Sequence, residues 1–144
     1  MGQIRLGNKP PLTVSPGDSV VSAARAMTDR HVGAATVLDA DKVVGVISER
    51  DVLQKIVVAG RDPATTPVRD IMTREVVYVN MKTSVNDAAE LMRKHHIRHL
   101  VVLDQHDKLV GMLALRYLLD DLMGDMQRNV GDLMGYIMTD GPGG

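Results

Sequence analysis

The sequence predicts an α/β (α+β) fold built as a tandem pair of β-α-β-β-α units, and an internal repeat, its periodicity and its length carry that prediction. A shift of 65 residues lays one half of the chain on the other: Ser19-Val20 on Ser84-Val85, Ala23-Ala24 on Ala88-Ala89, Met27 on Met92, His31 on His96, and Val37-Leu38-Asp39 on Val102-Leu103-Asp104. One inserted residue then moves the shift to 66, and Asp41-Lys42-Val43-Val44-Gly45 falls on Asp107-Lys108-Leu109-Val110-Gly111, Arg50 on Arg116 and Leu53 on Leu119. Within each copy the apolar spacing changes in the same order between strand-like and helix-like periods. The chain has 144 residues, 44% of them hydrophobic, enough for one compact core. A single copy of about 45 to 50 residues buries too little surface to stand alone, so the two are expected to pack about a pseudo-twofold axis with clefts between them.

In order along the chain, Leu12-Thr13-Val14 and Val76-Val77-Tyr78-Val79 read as short strands, followed by the turns Ser15-Pro16-Gly17-Asp18 and Asn80-Met81-Lys82-Thr83. Val20, Ala23, Ala24 and Met27, and Val85, Ala88, Ala89 and Met92, then recur at helical spacing, with Asp18 or Ser19 and Thr83 or Ser84 as N-caps. Each helix is expected to end near its His, His31 or His96. Two β-rich runs follow in each copy, Ala35 to Leu38 with Val43 to Ile47 and Leu100 to Leu103 with Leu109 to Leu113, joined by polar turns suited to hairpins. A second helix closes each copy. Beyond Leu115 the apolar positions Leu118, Leu119, Leu122, Met126, Val130, Leu133, Met134, Ile137 and Met138 keep helical spacing. This predicts an extended C-terminal helix that folds back on its own core or serves self-association, the second being the favoured reading. The expected organisation is an N-terminal arm over 1–9, a first unit over 10–59, and a linker over 60–74 with one helical turn at Val68 to Met72. A second unit then spans 75–122, with a helix extension and frayed tail over 123–144.

Composition removes several function classes. Seventeen basic residues against 18 acidic ones give a net charge of −1, and three Tyr with no Phe or Trp leave no stacking platform, so no nucleic-acid partner is expected. Without cysteine there is no disulfide, thiolate metal site or thiol nucleophile. Every apolar run is interrupted by charge well short of the roughly 18 residues a membrane span needs. The first ten residues carry no apolar signal region, and Leu6 stands where a myristoylation signal has Ser or Thr, so a cytoplasmic protein without a membrane partner is expected. No GxSxG elbow, Walker loop, GxGxxG turn or HExxH helix occurs, and no catalytic residue is assigned. His95, His96, His99 and His106 cluster, but the helix is expected to end near His96, no Cys or Glu joins them, and Arg98 opposes a cation; no metal ligand is assigned.

One local pattern carries ligand chemistry. Asp51, expected in the first turn of a helix, offers a carboxylate that can accept hydrogen bonds from two neighbouring donors at once. Ser48, three residues earlier, adds a hydroxyl and can cap that helix, whose N-terminal N–H groups favour a phosphate. Ser-x-x-Asp by itself is an ordinary helix cap; the repeat around it is what raises its interest.

The runs Val43-Val44-Gly45-Val46-Ile47-Ser48-Glu49-Arg50-Asp51, Val68-Arg69-Asp70-Ile71-Met72-Thr73 and Ile97-Arg98-His99-Leu100-Val101-Val102-Leu103-Asp104 resemble the cystathionine-β-synthase (CBS) domain pair, or Bateman module, over about residues 10–122. The resemblance implies a non-catalytic sensor that binds an adenosine-containing ligand in the clefts between the copies. Carried over by residue, it places Val46, Ile47, Ser48, Glu49, Arg50 and Asp51 along the ligand and the backbone near Val77 at the base. Ile97 would flank the base, and Arg98 and His99 would point toward the phosphate. Arg116 stands where some nucleotide-binding relatives carry a phosphate-contacting Lys. Arg98 and Arg116 would supply fixed positive charge, and His99 a donor that titrates near neutral pH.

A phosphate-reading pair favours AMP or ADP, while ATP, NAD and S-adenosylmethionine share the adenosine. The other cleft is degenerate: Ala114 and Tyr117 replace Ser48 and Asp51, and Gly33 and Ala34 replace Arg98 and His99. Tyr117 either stacks on a base or, the favoured reading, fills the space. Signalling is expected through the orientation of the copies or through a homodimer, acting on an unidentified regulated protein. The competing reading is a ligand-independent interaction module of the same fold.

Overall fold

The computed structural model describes residues 3, 4, 6 and 10–125, with side chains described as far as residue 120. The chain divides into two compact units. The first holds Pro10–Val76 with Lys108–Val110; the second holds Gln3, Ile4 and Leu6, Val77–Asp107, and the described chain from Gly111 onward.

In the first unit, β1 (Thr13–Val14), β2 (Ala34–Asp39) and β3 (Lys42–Ser48) form a sheet in the order β1-β2-β3, β1 parallel and β3 antiparallel to β2. Helix α1 (Val20–Asp29) precedes β2 and buries Val20, Ala23 and Met27. Helix α2 (Glu49–Val52) follows β3 and continues as a π-helical turn over Leu53–Val57. The later elements repeat the plan: β4 (Tyr78–Val79), α3 (Val85–His95), β5 (His99–Leu103), β6 (Leu109–Ala114) and α4 (Leu115–Asp125), with sheet order β4-β5-β6. The expected C-terminal extension past residue 125 lies outside the described residues.

The caps decide between the sequence alternatives. Ser19 Oγ accepts from Ser22 N and Ser84 Oγ from Asp87 N, so the serines, not Asp18 or Thr83, start the helices. Both ends are formed by a histidine in the left-handed region, His31 and His96 each at φ 55°, after which Val32 N donates to Met27 O and Ile97 N to Met92 O, both at 3.0 Å. The repeated histidine is therefore a backbone feature of the helix end, which explains why the two align.

The single inserted residue is a change of turn. Ala40 and Asp41, at φ 50° and 68°, make a two-residue hairpin loop with positive φ at both positions, closed by the pair Asp39 and Lys42. In the second copy the loop is Gln105-His106-Asp107, with Asp107 N donating to Asp104 O at 3.1 Å and Asp107 at φ 61°. That is the three-residue loop ending in a left-handed residue, one residue longer than the first.

Residues 60–74, expected as a linker, are built into the first unit. Val68, Ile71 and Met72 belong to its core with Val20, Val37 and Ile47, and Val68 N donates to Asp18 O at 2.8 Å. The helical turn there is a 3₁₀ turn over Val68–Asp70. The N-terminal arm has the matching part in the second unit: Ile4 is buried in that core, its N–H donating to Thr83 O at 3.1 Å, and Leu6 packs against it.

Both contacts run over a repeated glycine. A Cβ at Gly45 would stand 2.8 Å from Met72 Sδ and 2.9 Å from Thr73 O, and one at Gly111 would stand 2.7 Å from Leu6 Cδ1. The segment ahead of the second copy thus closes the first unit, and the segment ahead of the first copy closes the second.

Candidate ligand site

Strand β3 ends at Ser48, whose extended backbone lets its side chain turn onto the helix it begins. Ser48 Oγ accepts from Asp51 N at 3.2 Å while Asp51 Oδ2 accepts from Ser48 N at 3.0 Å and Ser48 Oγ at 3.1 Å, a reciprocal capping box. Asp51 is only 6% exposed. Its other oxygen, Oδ1, accepts from Lys55 Nζ and from Thr73 Oγ1, each at 3.0 Å, and Lys55 Nζ also donates to Ile71 O at 2.9 Å. A carboxylate offers about four acceptor positions. All four are taken.

The arrangement corrects one expectation of the sequence. Two of the first three amides of α2 already have partners, Glu49 N donating to Gly33 O at 3.0 Å and Asp51 N to Ser48 Oγ at 3.2 Å, and the amide of the N-cap Ser48 donates to Asp51 Oδ2. A phosphate would draw mainly on side-chain cations.

Around this box, Val46 is half-buried and paired with Thr73, N to O at 2.9 Å and O to N at 2.8 Å. The side chain of Ile47 is fully buried in the first core, which leaves only its backbone for a ligand. Glu49 and Arg50 are exposed.

In the second unit, Ile97 and Val77 are half-buried against the core, and Val77 O accepts from Val101 N at 3.1 Å. Arg98 is exposed, and its carbonyl accepts from Leu115 N at 2.8 Å, the counterpart of the Glu49–Gly33 bond. His99, half-buried at the start of β5, has its pKa lowered from 6.5 to about 4, by burial first and then by the charges of Arg98 and Arg116. It is a neutral imidazole at physiological pH, not the titrating donor the sequence implied.

Tyr117, expected to fill space, is exposed, with the Arg116 guanidinium 5.3 Å from its ring centroid. The structure thus brings Ser48 and Asp51 together in the first unit, and Arg98, His99 and Arg116 into one electrostatic neighbourhood in the second. Sequence reasoning missed Lys55 and Thr73. The spacing of Asp51 and Lys55, four apart on a helix, was the available signal for the first; nothing local pointed to the second.

Among the described residues no group of three or more His, Asp or Glu could hold a metal ion, and no helix is long and apolar enough to cross a membrane.

A tandem α/β repeat with a serine–aspartate box in one copy and a basic cluster in the other defines a class of paired modules. The CBS domain profile matches residues 3–58 and 68–124, and the chain belongs to the CBS domain family. It is 39% identical over 103 residues to the CBS domain-containing protein YhcV of Bacillus subtilis, covering 72% of each chain. The match covers 40–60% of the length of three further curated relatives. Among solved structures, a protein with CBS domains from Burkholderia ambifaria superposes with a TM-score of 0.78 at 33% identity, covering 83% of this chain and 87% of that one. A CBS domain protein from Pyrobaculum aerophilum, complexed with AMP, gives a TM-score of 0.70 at 31% identity, covering 76% and 84%.

Proposed function

We propose that this chain is a non-catalytic regulatory module that binds an adenosine-containing ligand, AMP or ADP, and passes the bound state on through a change in assembly or a partner protein. The observation that carries this reading is the division of ligand chemistry between the copies. Asp51 and Ser48 would read the ribose from the first, and Arg98, His99 and Arg116 would read the phosphate from the second, while the equivalent positions are Ala114, Tyr117, Gly33 and Ala34. A single competent site follows, with the backbone near Val77 and the half-buried Ile97 beside the base. The AMP complex of the Pyrobaculum relative supports the ligand class.

The internally satisfied Asp51, together with exposed Leu53, Val57 and Val58, favours the second reading, a ligand-independent interaction module working through self-association. Isothermal titration with AMP, ADP, ATP, NAD, adenosine and S-adenosylmethionine separates the two. Saturable binding of AMP or ADP is expected, with Arg98→Ala weakening phosphorylated ligands about 5- to 10-fold and leaving adenosine unchanged. No binding by any of them, in protein shown to be folded, establishes the interaction module instead.

A further inference from the structure

Asp51 can reach a ribose only by giving up a partner it already has. Of its four bonds, the one from Ser48 N belongs to the capping box that starts α2, and the one from Ser48 Oγ comes from the hydroxyl that caps Asp51 N, so losing either would disturb the helix start. The competing pair is on Oδ1. Thr73 is fixed there by its short side chain and by the double backbone pairing with Val46. Lys55 is different: its side chain is 41% exposed, it rides on the π-helical turn after α2, and its four-carbon stem can swing the ammonium into water. Its ammonium also spans two places, Asp51 Oδ1 at 3.0 Å and the carbonyl of Ile71 at 2.9 Å, so it ties the turn to the segment that closes the first core.

We propose that Lys55 is an internal competitor for the ribose position: its ammonium holds the Asp51 carboxylate, and a nucleotide binds there only by displacing it. The inference rests on the nucleotide reading and adds what that reading lacks, a device that sets affinity and couples binding to structure. When Lys55 leaves, the bond to Ile71 O goes with it, and the turn Leu53–Val57, which carries exposed Leu53 and Val57, is released from residue 71. A ribose hydroxyl replaces the lost donor on Oδ1, so the buried carboxylate keeps four hydrogen bonds in both states. Lys55 is therefore a specificity-determining residue. It disfavours ligands that lack a hydroxyl able to take the position it vacates on Oδ1, and it makes occupancy of the site visible at the protein surface.

The test uses the full chain, titrated calorimetrically with AMP, in the wild type, Lys55→Met and Lys55→Arg. Lys55→Met keeps the stem and removes the competing donor, and is expected to bind AMP about 5- to 10-fold more tightly; Lys55→Arg, which restores a donor, is expected to stay within about 2-fold of wild type. Unchanged affinity in Lys55→Met makes the lysine a structural pair only, and weaker affinity makes it a ligand contact; either overturns the proposal. Absence of AMP binding in wild type and Lys55→Met alike refutes the nucleotide reading itself, and the competitor with it.

Should Lys55→Met fail to fold, the unaltered protein still decides. With ¹⁵N-labelled lysine, the Lys55 Nζ resonance is expected to move to the position of a free ammonium when AMP saturates the site. A resonance that stays in place under saturation overturns the proposal.

Discussion

Thr36 sits at the centre of the first sheet, paired with Thr13 on one side and Val46 on the other, and is fully buried. Among the described residues its Oγ1 finds no hydrogen-bond partner. A buried hydroxyl stripped of water and given no partner costs about 1–3 kcal/mol. Valine has nearly the same shape, with a methyl where threonine has the hydroxyl, and the repeat has already made that exchange: Val101, at the equivalent place in β5, is also buried. Thr36→Val is therefore expected to stabilise the protein by about 1–2 kcal/mol, or roughly 3–8 °C in Tm for a chain of this size.

Urea denaturation followed by far-ultraviolet circular dichroism measures it, with an unchanged m-value expected because no surface is added. The reverse change, Val101→Thr, should cost about 1–3 kcal/mol, since it installs the same unpaired hydroxyl in the other sheet. A Thr36→Val protein that is less stable than wild type by more than about 0.5 kcal/mol would mean that the hydroxyl is bonded, and the reasoning would fail.

Other predictions follow from groups already placed. His99 stays neutral in the folded protein down to about pH 4, whereas the unfolded chain takes up that proton near 6.5. Stability from this group is complete above about 6.5 and falls as pH drops through that window, by about 3 kcal/mol in all, about 2 kcal/mol of it between pH 7.5 and 5. His99→Gln should lose this dependence in urea titrations at pH 7.5 and 5, and an equal slope in both proteins would rule the assignment out. The two glycines at the closing contacts should respond unequally to alanine. At Gly45 the new methyl meets the Thr73 carbonyl, whose position is fixed by the bond from Val46 N, and a loss of about 2–3 kcal/mol is expected. At Gly111 it meets only the end of the Leu6 side chain, which can rotate away, so Gly111→Ala should cost about 1 kcal/mol or less in the same denaturation assay. Equal costs would show that both segments are equally rigid.

The parts of this fold that could be read from the chain are those that repeat or are local. Ser19 and Ser84, His31 and His96, and the strand pairs all announce themselves because each does its job within a few residues and does it twice. Even the turn difference was visible, as one residue too many between Asp104 and Asp107. What could not be read depends on contacts between distant stretches. Nothing around Leu6 says that it will lie against Gly111, and nothing in Arg69-Asp70-Ile71-Met72-Thr73 says that its threonine will complete the shell of an aspartate 22 residues earlier. The same limit governed the site. The aspartate and its cap follow a four-residue pattern, but that its oxygens are saturated, and by which groups, is settled only by tertiary packing.

The exchange of closing segments over Gly45 and Gly111 separates two things usually treated as one, the stretch of sequence that was duplicated and the body that folds. Cutting the chain at the repeat boundary would yield two pieces, each missing its own strap and carrying its neighbour's. Such halves would be sticky in a specific way: each would accept the strap borne by the other, so mixing them should restore what neither possesses. Duplication here has produced mutual dependence, and a mutation in the first few residues of the chain is felt in its second half.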